Sequence, residues 1–149
     1  ERCVPAGDPR RNTDAVAAAL GTVPLGPPAT PDADAASTAW TAALAPVGTF
    51  DVVVLGLGAD GHVASIFPGC TGPLAIDGAD AVPAGPAAPA PARVTLSAAR
   101  LRRTRALLLV VDGPDKDGAI ARIRAGRDDD LPTTALNGPP RWLVDLRGA

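Results

Sequence analysis

Residues 51–69, DVVVLGLGADGHVASIFPG, constrain the fold of this chain more than any other stretch. Val52, Val53, Val54 and Leu55 form an unbroken apolar run, the pattern of a strand buried on both faces of a parallel sheet. Gly56, Gly58 and Gly61 follow, and glycine admits positive φ and close approach of backbone N–H groups to a ligand. The turn presents His62, the single histidine of the chain. Ligands of open α/β sheets lie beyond the carboxyl ends of strands, where this turn falls. A strand, a glycine turn and a lone imidazole suggest a catalytic site for a small polar substrate.

Further strands are expected at 93–96, 106–112 and 142–144, the second of them (ALLLVVD) fully buried. Helices fit between them. Asn12 is a candidate N-cap for a helix over 13–20 that stops near Gly21. Thr30 is a candidate cap for a second helix, with Pro31 at its first position and Trp40 and Leu44 facing the core. Residues 62–67 are expected to make a helical turn or two before Pro68. Ser97 caps a helix through Arg100, Arg102, Arg103 and Arg105, which read as a solvated face. A helix after Gly113 and Pro114 buries Ile120 and Ile123 and ends near Gly126. Residues 69–92 are rich in Pro, Gly and Ala and read as a long surface loop with no strand. Strands alternating with helices give an α/β chain, a Rossmann-like parallel sheet flanked by helices. Residues 1–149 form one domain.

Composition excludes several classes. A net charge of −2 gives no electrostatic footprint for nucleic acid or an anionic membrane. No apolar run approaches the ~20 residues that span a bilayer. Cys3 and Cys70 match no metal or redox spacing, and one histidine completes no zinc site with them. Unpaired cysteines and the lack of a signal peptide point to the cytoplasm. No metal or cofactor is expected, and oligomeric state stays open.

The turn admits several readings. Residues 56–61 fit G-x-G-x-x-G after a strand, a dinucleotide fingerprint. That motif needs a long helix at once and an acidic residue at the end of a second strand. Pro68 cuts the helix short, and Asp77 and Asp80 fall in the loop. A plainer reading makes the glycines a tight turn and His62 a capping or packing residue. The Asp-Gly-His triplet at the end of a buried strand weakens it.

The segment LGLGADGHVASIFPG resembles the G-x-G-x-D-G-H-x-A-S-x-F-P-G signature of 6-phosphogluconolactonases. Glu1-Arg2-x-Val4-Pro5 with Asn12, the strand Arg93-Val94-Thr95-Leu96, Gly113-x-x-Lys116, Leu131-Pro132 and the ending from Trp142 to Asp145 are similar to further family segments. Glucosamine-6-phosphate deaminases share the glycine-histidine turn but continue with Phe-Asn-Glu-Pro. Here Ser65-Ile66-Phe67-Pro68 brings no carboxylate, which favours the lactonase. The resemblance implies a domain of the sugar-phosphate isomerase/lactonase type, incomplete at its amino terminus, where the family carries a Ser-Gly-Gly loop. It implies hydrolysis of 6-phosphogluconolactone, a small phosphosugar lactone, in the pentose phosphate pathway. A deaminase-like enzyme and a non-catalytic sugar-phosphate-binding fragment are the alternatives.

Lactone hydrolysis needs an activated water, a stabilised oxyanion and a proton for the leaving ring oxygen. An imidazole performs both proton transfers near neutral pH, and His62 is the one available. Backbone N–H groups at Gly56, Gly58 and Gly61 are candidate oxyanion donors. Asp60 either orients the imidazole or bonds its own turn. The resemblance places Lys116 on the substrate phosphate and makes Arg2 and Arg93 substrate contacts. Asn12 is a candidate sugar contact, with the cap role as its alternative.

Overall fold

The computed structural model describes residues 1–70, 77–86, 88–126 and 128–136, and the backbone of Trp142–Asp145. Three strands form a parallel sheet: β1 (Phe50–Gly56), β4 (Thr104–Val111) and β5 (Trp142–Asp145), in the order β1-β4-β5. Val53 pairs with Leu107, Leu55 with Leu109, and Val110 with Val144. A second sheet is an antiparallel pair, β2 (Ala79–Val82) and β3 (Arg93–Leu96). The helices are α1 (Asn12–Leu20), α2 (Ala33–Leu44), α3 (Ala98–Arg102), α4 (Asp117–Ala125) and α5 (Pro132–Ala135). Residues Val53, Leu55 and Leu109 meet Leu101 of α3 and Ile120 and Ile123 of α4 in the main core. Parallel strands need crossovers, and α4 supplies one between β4 and β5.

Several local readings change. The apolar run of β1 is buried on one face only: Val53 and Leu55 are 8% and 7% exposed, Val52 and Val54 51% and 61%. Among the described residues β1 is an edge strand, and no helix covers its outer face. An all-apolar run signals burial on both faces only where both are covered. In β4, Leu107, Leu109 and Val111 are buried and the residues between them half-buried, so that strand too is buried fully on one face.

The strandless loop expected across 69–92 fails at Ala79–Val82. Ala79 and Val82 are buried, and their backbone pairs with the β3 residues Leu96 and Arg93. A four-residue strand with two alanines and an aspartate carries almost no propensity signal, so the partner strand decides its state. Residues 71–76 and 87 of that expected loop lie outside the described residues.

Caps shift by one or two positions. Asp32, not Thr30, caps α2 by accepting the Ala35 N–H at 2.9 Å. The start of α1 is served by Glu1, whose carboxylate accepts the Asn12 and Thr13 N–H groups at 2.9 and 2.5 Å. Asn12 is therefore the first helical residue rather than the cap. Residues 62–67 form no helix. Val63 and Ile66 pair across a tight turn in which Ala64 has φ 53°.

The arginine cluster is not uniformly solvated. Arg100 is 2% exposed, and its Nη2 donates to the Val47 and Gly48 carbonyls at 2.7 and 3.1 Å. Its guanidinium lies 4.7 Å from the Phe50 ring centroid. Arg100 thus anchors the segment that enters β1. Arg100→Met keeps apolar volume but orphans two carbonyls, and costs about 1–3 kcal/mol. Thermal unfolding checks this: an unchanged Tm contradicts the anchoring role.

Candidate functional site

Sequence shapes the turn after β1 through its glycines. Gly61 sits at φ 94°, and a Cβ there would lie 2.5 Å from Leu131 Cδ2. A Cβ at Gly58 would overlap His62 Nδ1 and lie 2.6 Å from Asp60 Oδ1. Gly58 leaves the room that the side chains of Asp60 and His62 fill. The Gly58 N–H donates to the His62 carbonyl at 2.8 Å, and the Gly61 N–H to the Gly58 carbonyl at 3.0 Å. These two donors close the turn, so the oxyanion role expected of them is not open to them. Gly61 packs on Leu131 and lines neither cavity described below.

Asp60 and His62 form a pair. The Asp60 carboxylate accepts the His62 backbone N–H at 3.0 Å, and Oδ1 lies 2.7 Å from His62 Nδ1. Partial burial opposes ionisation of Asp60, but the two hydrogen bonds from His62 outweigh it and hold the carboxyl below its ordinary value. An ionised carboxylate only accepts, so Nδ1 carries the proton and Nε2 presents its lone pair. Asp60 thereby makes the contacts of both roles read from the sequence, one to the imidazole and one to the backbone of its own turn. The His62 side chain is 32% exposed, accessible to water and ligand. The Phe67 ring lies 4.8 Å from the imidazole, centroid to centroid.

His62 borders two cavities. The larger, about 530 Å³, has a polar end formed by Glu1, Arg2, Asn12, His62, Ser65 and Arg93. Its apolar end runs along the free edge of β1 to Phe50 and Trp40. The volume suits a small ligand. The smaller, about 390 Å³, is lined by Gly56, Leu57, Gly58, His62, Ala64 and Lys116. The expected residues therefore flank one imidazole: Arg2, Asn12 and Arg93 on one side, Gly56, Gly58 and Lys116 on the other.

Charge differs between the two sides. Lys116 ends the 3₁₀ turn Pro114–Lys116, and its Nζ lies 2.6 Å from Asp115 Oδ2. Arg2 and Arg93 make no ion pair with a carboxylate among the described residues. Arg2 Nη1 donates to Asn12 Oδ1 and to the Arg10 carbonyl, both at 3.1 Å. Asn12 thus holds Arg2 in place. Arg93 Nε is buried without a partner. Burial, and then the charge of Arg2, makes the protonated Arg93 guanidinium less favourable than usual. An incoming anion relieves that penalty.

Sequence reasoning missed three contributors. Glu1 fixes the start of α1 and lines the larger cavity. Thr95 Oγ1 accepts the Ser65 N–H at 3.1 Å and ties β3 to the turn. Phe67, present in the family signature without a role, touches both His62 and Arg93. Alternation along β3 sets Thr95 with Arg93, opposite the apolar Val94 and Leu96, and so gives no sign that Thr95 is buried. No local signal marks the other two. Among the described residues, no group of three His, Cys, Asp or Glu side chains could hold a metal ion, and no helix is long and apolar enough to cross a membrane.

A sequence model described as glucosamine-6-phosphate isomerases/6-phosphogluconolactonase matches residues 1–143. A 6-phosphogluconolactonase of Streptomyces coelicolor is 34% identical over 173 aligned residues, covering all of this chain and 66% of its own length. The Mycobacterium tuberculosis 6-phosphogluconolactonase is 34% identical and has 52% of its length covered. The chain thus spans about half to two thirds of these relatives. Among solved structures, the 6-phosphogluconolactonase of Trypanosoma brucei superposes with a TM-score of 0.73 at 26% identity, covering 99% of this chain and 68% of that one.

Proposed function

This chain belongs to the glucosamine-6-phosphate isomerase/6-phosphogluconolactonase family, and from that premise we propose that it hydrolyses 6-phospho-D-glucono-1,5-lactone to 6-phospho-D-gluconate. The step belongs to the oxidative pentose phosphate pathway, and we place it in the cytoplasm. The observation that carries this reading is the Asp60–His62 pair at the carboxyl end of β1, with His62 lining both cavities.

His62 Nε2 takes a proton from water as the water oxygen bonds to the lactone carbonyl carbon. The tetrahedral oxyanion then collapses, the bond from that carbon to the ring oxygen breaks, and the imidazolium returns its proton to the departing oxygen. Asp60 stays ionised throughout and steadies the imidazolium. Arg2 and Arg93 on one side of His62, and Lys116 on the other, supply the positive charge that a phosphorylated substrate requires. The segment after His62 puts Ser65 and Phe67 beside the site and brings no carboxylate, which disfavours a deaminase.

Lys116→Ala removes one charge from the substrate side of the smaller cavity. We expect KM for the lactone to rise about tenfold or more with kcat little changed, as for an interaction made equally in ground and transition states. An unchanged KM removes Lys116 from the phosphate site.

The function is tested with freshly prepared 6-phosphogluconolactone, corrected for spontaneous hydrolysis, and with glucosamine-6-phosphate in parallel. Both the 149-residue chain and a chimera carrying the part of the Streptomyces relative with no counterpart here are assayed. Lactone loss above background without ammonia release supports the lactonase. Ammonia release, or lactone loss at the spontaneous rate in both proteins, overturns it.

A further inference from the structure

Phe67 is 3% exposed and is held by Val82 of β2 and by Ala88. Its ring faces two groups of the site at once. The His62 imidazole lies 4.8 Å away, tilted by 35°, and the Arg93 guanidinium carbon lies 5.5 Å from the ring centroid. Neither group is fully fixed otherwise. Asp60 bonds the imidazole at one atom, Nδ1, and a single hydrogen bond does not set the plane of the ring. Arg93 Nε has no hydrogen-bond partner. An aromatic face attracts cations, so the same ring favours both the guanidinium and the imidazolium that forms when His62 takes a proton.

We propose that Phe67 is a positioning residue: its ring fixes the imidazole plane of His62 relative to the Arg93 guanidinium, so that an anion held by Arg93 presents its reacting carbon to Nε2. This rests on the lactonase reading for its consequence, but not for its geometry. It also gives the β2–β3 pair a function, because β2 is what holds the ring.

The chain has one histidine, so its imidazole proton resonances report His62 alone. Charged groups facing it are Asp60 at 2.7 Å, Arg93, Arg2 and Glu1 along the larger cavity, and Lys116 in the smaller. Each of these groups keeps its charge when Phe67 is replaced. Nuclear magnetic resonance titration of Phe67→Leu and Phe67→Met is compared with Phe67→Tyr, which keeps a ring. Loss of the aromatic face lowers the His62 titration midpoint, because the ring no longer favours the imidazolium. The tyrosine variant keeps the original midpoint. With the chimera, the leucine and methionine variants lower kcat and raise KM together. The titration needs no turnover, so it stands whether or not the lactonase reading does. Methionine fills much of the same volume, which guards against a leucine variant that fails to fold. A midpoint unchanged in both ringless variants, with native dispersion of the spectrum, overturns the proposal.

Discussion

His62→Gln lowers kcat for 6-phosphogluconolactone by about 10²- to 10⁴-fold, the range that a positioned general acid–base contributes. Glutamine keeps much of the polarity and length of the side chain but cannot exchange a proton at neutral pH. Its effect on stability is small, because His62 is not part of the buried core and its side chain is 32% exposed. KM stays within a few-fold, since the charges assigned to substrate binding sit on Arg2, Arg93 and Lys116. The measurement is steady-state kinetics on the chain and on the chimera, beside a thermal melt. A variant with native turnover removes His62 from the chemistry. A variant that has lost its melt shows a structural role instead.

Gly58→Ala is the second large effect. The added Cβ overlaps His62 Nδ1 and lies 2.6 Å from Asp60 Oδ1, so the side-chain pair cannot keep this geometry. Either the imidazole rotates away or the turn shifts and weakens the Gly58 N–H bond to the His62 carbonyl. A displacement of about 1 Å at a reacting group costs on the order of a hundredfold, and kcat falls by that amount or more. The His62 resonance moves with it. Gly118→Ala in α4 serves as the control, because its Cβ meets nothing within 4 Å. If Gly58→Ala retains both kcat and the His62 resonance of the parent, the turn is not built around the pair.

Much of the architecture is legible in the sequence, for physical reasons that can be named. The strand at 50–56 and the Thr104–Val111 strand announce themselves by apolar runs too long and β-branched for a loop. Ser97 is a legible cap because serine beside Ala98 has one obvious task, accepting the Arg100 N–H. Gly21, at φ 66°, ends α1 where expected. What escapes is set by distant partners. Burial of Val52 and Val54 depends on what lies beside β1, and composition does not report that. The β2 strand exists because β3 pairs with it. Arg100 looks like its neighbours in sequence, yet it is buried because two carbonyls before β1 need its donors.

The site is legible at its centre and less so at its rim. Asp60-Gly61-His62 sets the spacing that lets a carboxylate reach both the backbone and the ring of the histidine two residues on. The glycines are legible as a turn but not as partners of one another. Only the structure shows that the Gly58 and Gly61 donors are bonded within it. Arg2 and Arg93 come together through an isolated bridge between residues 91 positions apart, a separation that no spacing rule anticipates.

The central claim is that His62, held by Asp60, is the base of a lactone hydrolase. It is tested most directly by kcat/KM for 6-phosphogluconolactone as a function of pH, corrected for spontaneous hydrolysis, in the parent and in His62→Gln. The parent profile rises through one ionisation and then levels, because the neutral imidazole is the active form. In His62→Gln that rise is gone and the remaining rate is close to background. A substituted protein that keeps the parent's profile and rate contradicts the claim.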